Sequence, residues 1–172
     1  AVKASGSFQT IKANFADMAE VCQGVLADGI LWGIGVSSYQ FDNPERGFSY
    51  KVDGPLDLRM NPQKGSSAAE RLKEVDYEEL VGMLVENSDE PYAEEIADTV
   101  MKWFARGREI VTTTDLKNAI TEALGFLPEK EQKEAVKKSC QRTFQALRID
   151  VNSEFEVLYA FLEKLPEVLA PN

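Results

Sequence analysis

The run DGILWGIGV, residues 28–36, decides the fold class. It is nearly all apolar and is bounded by an aspartate and a serine, as a strand buried on both faces of a parallel sheet would be. Upstream, FQTIKANF (8–15) alternates apolar and polar residues and predicts a short strand. Between the two, ADMAEVCQGVLA (16–27) sets Met18, Val21, Cys22 and Val25 at helical spacing. Strand, helix and strand make one βαβ unit. Downstream, GVSSYQFDNPERGFSYKVDGPLDLRMN (35–61) leaves the C-terminal end of the second strand. Open α/β sheets bind ligands there. A loop this long is usually functional or disordered. Its aromatic and aliphatic residues argue against disorder.

Beyond the loop the pattern turns helical. SSAAERLKEV opens with a capping box, Ser67 to Glu70, and a second is expected at Ser153 to Glu156. DYEELVGMLVE aligns Tyr77, Leu80, Val81 and Leu84, and PYAEEIADTVMKWFARG aligns Tyr92, Ile96, Val100, Trp103 and Phe104. TTTDLKNAITEALG has threonine caps and a Leu116, Ile120, Ala123, Leu124 stripe, with Gly125 as its stop. KEQKEAVKKSCQRTFQALRI predicts a longer helix. The last segment runs Phe155, Leu158, Leu162, Leu165 toward a proline-terminated end. Two strands do not make a stable parallel sheet alone. The fold class read from these patterns is therefore a predominantly helical α/β fragment, the middle of a larger α/β protein.

Composition narrows the chemistry. The chain has 172 residues, 44% hydrophobic and 28% charged, enough for a real core. It contains no histidine, which removes Ser-His and Cys-His catalysis and imidazole metal sites. Cys22 and Cys140 lie far apart with no CxxC pattern and predict two reduced thiols, with neither a disulfide nor a metal. No apolar run approaches a membrane span, and AVKASGSFQT has no secretory apolar region, so a cytoplasmic location is expected. The net charge of −10 argues against a broad nucleic-acid-binding surface, while leaving room for a local basic face.

Four motifs carry candidate chemistry. GIGVSS leads into no predicted helix, so a dinucleotide fingerprint is absent and Gly33 and Gly35 read as close-packing positions. NPERGFS is either an ordered turn with Glu45 and Arg46 paired on its rim, or an arginine held over a ligand or an RNA phosphate. DGPLDLRM sets Asp53 and Asp57 near Arg59. Paired carboxylates can do acid–base work, but the adjacent arginine predicts an internal ion pair. KKSCQRTFQALRID carries Lys137, Lys138, Arg142 and Arg148, with Lys138, Arg142 and Gln145 on one face. That face is a phosphate-contacting stripe or a solvated one.

Taken in order, GVSSYQFDNPERGFSYKVDGPLDLRM, SAAERL, TTTDL, RTFQALRIDVNSE and LPEVLAP resemble the S-adenosylmethionine-dependent ribosomal RNA small-subunit methyltransferase H family, from about Phe15 to Pro171. The resemblance implies a methyltransferase acting on N4 of a cytidine in small-subunit rRNA. It implies a class I, Rossmann-like sheet with an inserted helical subdomain, of which this chain is a central fragment. Residues 1–60 would be a partial core with the motif loop at 35–60, residues 61–140 the insert, and residues 141–172 the return helices. The Gly-rich cofactor loop of the family is missing, so the S-adenosylmethionine site is incomplete in this chain.

Residue by residue, the resemblance assigns Phe15, the Gly33 position and Gln40 to the cofactor. Ser37, Ser38, Arg46, Arg59, Arg142, Gln145 and Arg148 are the candidates for the RNA side, and no catalytic residue is assigned. Two departures stand out. Gly33 replaces the cofactor-contacting aspartate of the family pattern LLDLGVSS, and glycine offers no acceptor there. Glu94, Glu95 and Asp98 stand where the family carries basic residues, as in FAKRIARAI, and would repel RNA phosphate. They favour the alternative of a divergent, non-catalytic module that binds RNA or a ribosome-assembly protein. Small-subunit rRNA is the partner the resemblance implies, without membrane or metal. An exposed parallel edge predicts pairing into a homodimer.

Overall fold

Helices carry the fold of the described residues, 6, 9–33 and 35–171, in this computed structural model. In chain order they are α1 (Met18–Cys22), α2 (Ser38–Asp42), α3 (Ala68–Glu74), α4 (Tyr77–Ser88), α5 (Ala93–Ala105), α6 (Thr113–Ala123), α7 (Glu129–Val151) and α8 (Glu154–Val168). Short 3-10 turns at Phe15–Asp17 and Pro44–Arg46 complete the set. None of the helices is long and apolar enough to cross a membrane. The chain divides into two compact units, Gly35–Glu154 and Ala1–Ile34 with Phe155–Asn172.

In the unit Gly35–Glu154, α4 packs on α7 and α5, and α5 on α6. The apolar stripes of the sequence become the core. Leu80 and Leu84 of α4, Ile96, Val100 and Trp103 of α5, and Leu116 and Ile120 of α6 are all buried. Burial of each such side chain contributes about 2 kcal/mol. The helices start on side-chain caps. Glu70 Oε2 accepts from the Ser67 amide at 2.7 Å, and Ser67 Oγ accepts from the Glu70 amide at 3.3 Å. Asp76 and Thr112 cap α4 and α6 in the same way. The expected second box at Ser153 does not form. Ser153 sits at φ 47°, closing α7 in the left-handed region, whereas an N-cap needs extended backbone.

The stretch between α2 and α3 is irregular but ordered by the helices around it. Phe48, Leu56 and Leu58 are buried in the shared core. The Leu56 amide donates to Val111 O at 2.9 Å and the Thr113 amide to Gly54 O at 2.9 Å. The first-turn amides of α3, Ala68 and Ala69, donate to Asp57 O and Leu56 O. Asn152, just past α7, donates to Leu58 O at 2.8 Å and accepts from the Met60 amide at 2.7 Å. At Gly47, φ is +69° and a Cβ would run into Pro55 O, so only glycine fits that turn.

The other unit differs from expectation. Neither predicted strand forms among the described residues. Phe8, Ile34 and Asn172, which belong to segments read from the sequence, lie outside them. The helix expected over 16–27 is confined to the 3-10 turn and α1, and ends where Gln23 and Gly24 adopt positive φ. Residues 28–33 run without a ladder partner, and Leu31 is fully exposed. The physical reason is that a parallel strand is stabilised by neighbours on both sides, and among the described residues of this unit there is one β-type contact. It is an isolated parallel bridge between Ala27 and Leu169, with the Ala27 amide donating to Val168 O at 2.7 Å and the Ala170 amide to Ala27 O at 2.9 Å.

Candidate functional site

A cleft of the unit Gly35–Glu154 lies between the motif loop and α7, with a volume of about 790 Å³. Four aromatic rings wall it: Phe41 and Phe48 from the loop's first half, Tyr50, and Phe144 of α7. Phe41 meets Phe48 edge-on at 6.4 Å, and Tyr50 meets Phe144 edge-on at 5.8 Å. Such rings offer faces on which a planar base can stack. Gln141, Gln145 and Arg148 line the α7 side, and Asp42 and Lys51 the loop side. Asp42 is the single carboxylate among the lining residues. The lining thus joins aromatic faces to amide, ammonium and carboxylate groups.

Of the residues singled out in the sequence, Gln145 and Arg148 line this cleft. The Gln145 side chain is exposed and has no partner among the described residues. Arg148 is bound in a fork to Glu154, Nε to Oε1 at 2.8 Å and Nη2 to Oε2 at 3.2 Å. Arg142 is half-buried on another face of α7, and Lys138 lies 3.8 Å from Glu134. The face that meets the loop is Gln141, Phe144, Gln145 and Arg148, at spacings of three and four. No role was assigned from the sequence to Gln141, Phe144, Asp42, Tyr50 or Lys51. The helical spacing of the α7 residues was the signal that could have found two of them.

Arg46 and Arg59 spend their donors inside the loop. Arg46 Nη2 donates to Arg59 O at 2.9 Å and Met60 O at 2.8 Å, and its guanidinium lies 5.8 Å from the centre of the Phe48 ring. Arg59 grips Asp57 through Nε at 2.7 Å and Nη2 at 2.9 Å, and donates from Nη1 to Gly65 O at 2.8 Å. Burial pushes the Asp57 carboxyl up, but hydrogen bonds and charge from Arg59, helped by Arg46, outweigh it and hold it below the usual range. The expected internal ion pair of DGPLDLRM is therefore Asp57–Arg59. Asp53 instead meets Thr114, whose hydrogen bonds lower its pKa. Ser37 and Ser38 open α2. The Ser37 amide and hydroxyl both donate to Gln40 Oε1, at 2.7 and 3.1 Å, so the Gln40 oxygen is used locally.

Phe15 and Gly33 belong to the other unit. Phe15 packs against Trp32 at 5.0 Å and edge-on against Phe161 of α8 at 5.5 Å, and Trp32 and Phe161 lie 4.5 Å apart. The Trp32 indole N–H is buried and has no hydrogen-bond partner among the described residues. At Gly33 a Cβ would meet nothing within 4 Å, so the missing aspartate is not excluded by space.

A family model described as the MraW methylase family matches residues 2–172. Ribosomal RNA small subunit methyltransferase H 1 of Lachnoclostridium phytofermentans is 63% identical over 163 residues, which are 94% of this chain and 44% of that protein. The protein of the same name from Agathobacter rectalis is 60% identical over 164 residues, 94% of this chain and 47% of its own length. Ribosomal RNA small subunit methyltransferase H of Mesoplasma florum is 41% identical over 173 residues, 98% of this chain and 54% of that protein. The chain spans about half the length of the curated relatives it matches.

Proposed function

The chain belongs to the MraW methylase family, and on that premise we propose that it is part of an S-adenosylmethionine-dependent enzyme that methylates N4 of a cytidine in small-subunit rRNA, in the cytoplasm. The observation that carries the reading is the family match over residues 2–172, which includes the whole motif loop. In the whole protein, residues 28–36 would pair as a strand of a Rossmann-like sheet completed by the rest of the polypeptide. The core, insert and return-helix division at 60 and 140 belongs to the same proposal. So does a homodimer paired through that run, which light scattering showing a monomer at high concentration would remove.

S-adenosylmethionine supplies an electrophilic methyl group when bound. Phe15 offers a ring face and Trp32 a buried indole donor without a partner among the described residues, features that suit an adenine. The role of Gln40 toward the cofactor, and that of the Gly33 position, rest on the resemblance. Neither residue offers a carboxylate for ribose hydroxyls, so that acceptor is assigned to the rest of the protein.

On the RNA side, the aromatic cleft would hold the flipped cytosine. Asp42 would accept a hydrogen bond from its exocyclic amine, the pairing that carboxylates make with cytosine. Gln145 and Gln141 would meet the base edge, with Arg148 behind them, while Ser37, Ser38 and Arg142 would touch the strand on either side. Arg46 and Arg59 are better suited to holding the loop in shape. In-line transfer from a sulfonium needs positioning more than a strong base, which fits a chain without histidine.

Calorimetric titration of the full-length protein with S-adenosylhomocysteine, followed by mass spectrometry of methylated rRNA fragments, tests this reading. Micromolar binding and N4-methylcytidine are expected. A full-length protein that binds no cofactor overturns it in favour of a non-catalytic RNA- or ribosome-assembly-binding module. The acidic outer face of α5, with Glu94, Glu95 and Asp98, favours that second reading.

A further inference from the structure

A second cleft of the unit Gly35–Glu154, about 510 Å³ in volume, lies between α6 and α7. Tyr50 lines both clefts, so its ring stands at their junction. The floor is apolar, formed by Val136 and the buried Cys140. Burial pushes the Cys140 thiol up to about 12, with Lys117 the opposing influence, so the floor stays uncharged at neutral pH.

The rim is cationic. Lys117 of α6 and Lys133 and Lys137 of α7 line the cleft, against one carboxylate, Glu129. All three lysines are exposed, and none joins an ion pair among the described residues. Elsewhere four lysines are matched, Lys73 with Glu109 at 2.8 Å, Lys102 with Asp98 at 2.5 Å, Lys164 with Glu167 at 3.2 Å and Lys138 with Glu134 at 3.8 Å, while Lys12, Lys51, Lys64 and Lys130 stand apart from one another in the sequence without an ion pair among the described residues. In a chain with 29 acidic and 19 basic side chains, partners are plentiful. Lys133 and Lys137 also stand at four-residue spacing, where like charges destabilise a helix. Three unmatched ammonium groups around an apolar trough, with an aromatic ring at one end, make a seat for a polyanion with planar bases.

We propose that this cleft binds the backbone of single-stranded RNA, its three lysines facing phosphates, while Tyr50 stacks on a base between it and the neighbouring cleft. The proposal rests on the RNA-methyltransferase reading and extends it to a strand-holding site away from the reacting amine. Aromatic stacking beside the charges favours RNA over an acidic peptide, which would use the lysines alone.

The test is fluorescence anisotropy of a labelled short single-stranded RNA with the 172-residue chain across a range of salt concentrations. The cleft variant combines Lys117→Gln, Lys133→Gln and Lys137→Gln. The control combines Lys102→Gln, Lys130→Gln and Lys138→Gln, removing equal charge outside the cleft. The slope of log affinity against log salt should become shallower by about 2 in the cleft variant, roughly 0.7 for each phosphate that no longer meets a lysine. The control should keep the wild-type slope. Equal changes in the two variants, no RNA binding by the wild-type chain, or displacement by polyglutamate as effective as by unlabelled RNA each overturns the proposal. S-adenosylhomocysteine binding by the full-length protein is read separately, so a failure of the methyltransferase reading shows there and a failure of this site shows in the salt slope.

Discussion

Asp42 and Asn152 show how much a single polar side chain can decide. Asp42 is the one carboxylate lining the aromatic cleft and has no side-chain partner among the described residues. Asp42→Asn in the full-length enzyme should lower methyl transfer about tenfold, the worth of one base-edge hydrogen bond, and leave the melting temperature unchanged. Unaltered turnover in a single-turnover assay would remove Asp42 from the site. Asn152 is the reverse case, because it satisfies the carbonyl of Leu58 and the amide of Met60 at once. Asn152→Ala should cost about 2 kcal/mol in urea unfolding, since both loop groups lose their partner. Gly33→Asp tests the departure from the family pattern. Space around the glycine is open, so the variant should fold normally and tighten S-adenosylhomocysteine binding by the full-length protein about tenfold. Equal affinities by calorimetry would show that the position does not meet the cofactor.

At the scale of elements, the motif loop behaves as a clamp rather than a tether. Arg59 joins Asp57 to Gly65 O, and the loop's carbonyls receive the first amides of α3 and α6. The folded-state pKa of Asp57 is depressed, so its contribution is full above the unfolded value near about 4 and is lost as pH falls through the lower folded value. The denaturation midpoint should therefore drop as pH falls below about 5 toward the depressed folded value, and Asp57→Asn should flatten part of that drop. The helical stripes of α4, α5 and α6 and the Ser67–Glu70 box were legible because they depend on residues three or four apart. The loop's architecture was not, since its hydrogen bonds run to Val111, Thr113 and Asn152. On the cleft-facing side of α7, Gln145 and Arg148 were marked but Gln141 and Phe144 were not, because charge drew attention to Lys138 and Arg142. The strand read over residues 28–36 does not form among the described residues of this chain for the same reason of distance: a strand is defined by neighbours, and a sequence run names none of them.

Across the whole molecule, order is unequally shared. The unit Gly35–Glu154 holds the core of α4 to α7, whereas Val25, Leu26 and Leu31 are exposed in the unit formed by the chain's two ends. Hydrogen exchange should find amides of residues 25–33 exchanging far faster than those inside α4 and α7. The same amides should become protected when the rest of the polypeptide is present. Comparable protection in the two regions would contradict this unequal order. The Asn152 contact also has a consequence for the order of events on the ribosome. Its partners lie 92 and 94 residues earlier in the chain. At about 5 to 20 residues per second, the loop waits roughly 5 to 20 seconds after its own synthesis for the residue that fastens it. During that interval its leucines and phenylalanines are open to chaperones and proteases, so the nascent chain is most vulnerable just before α7 is complete.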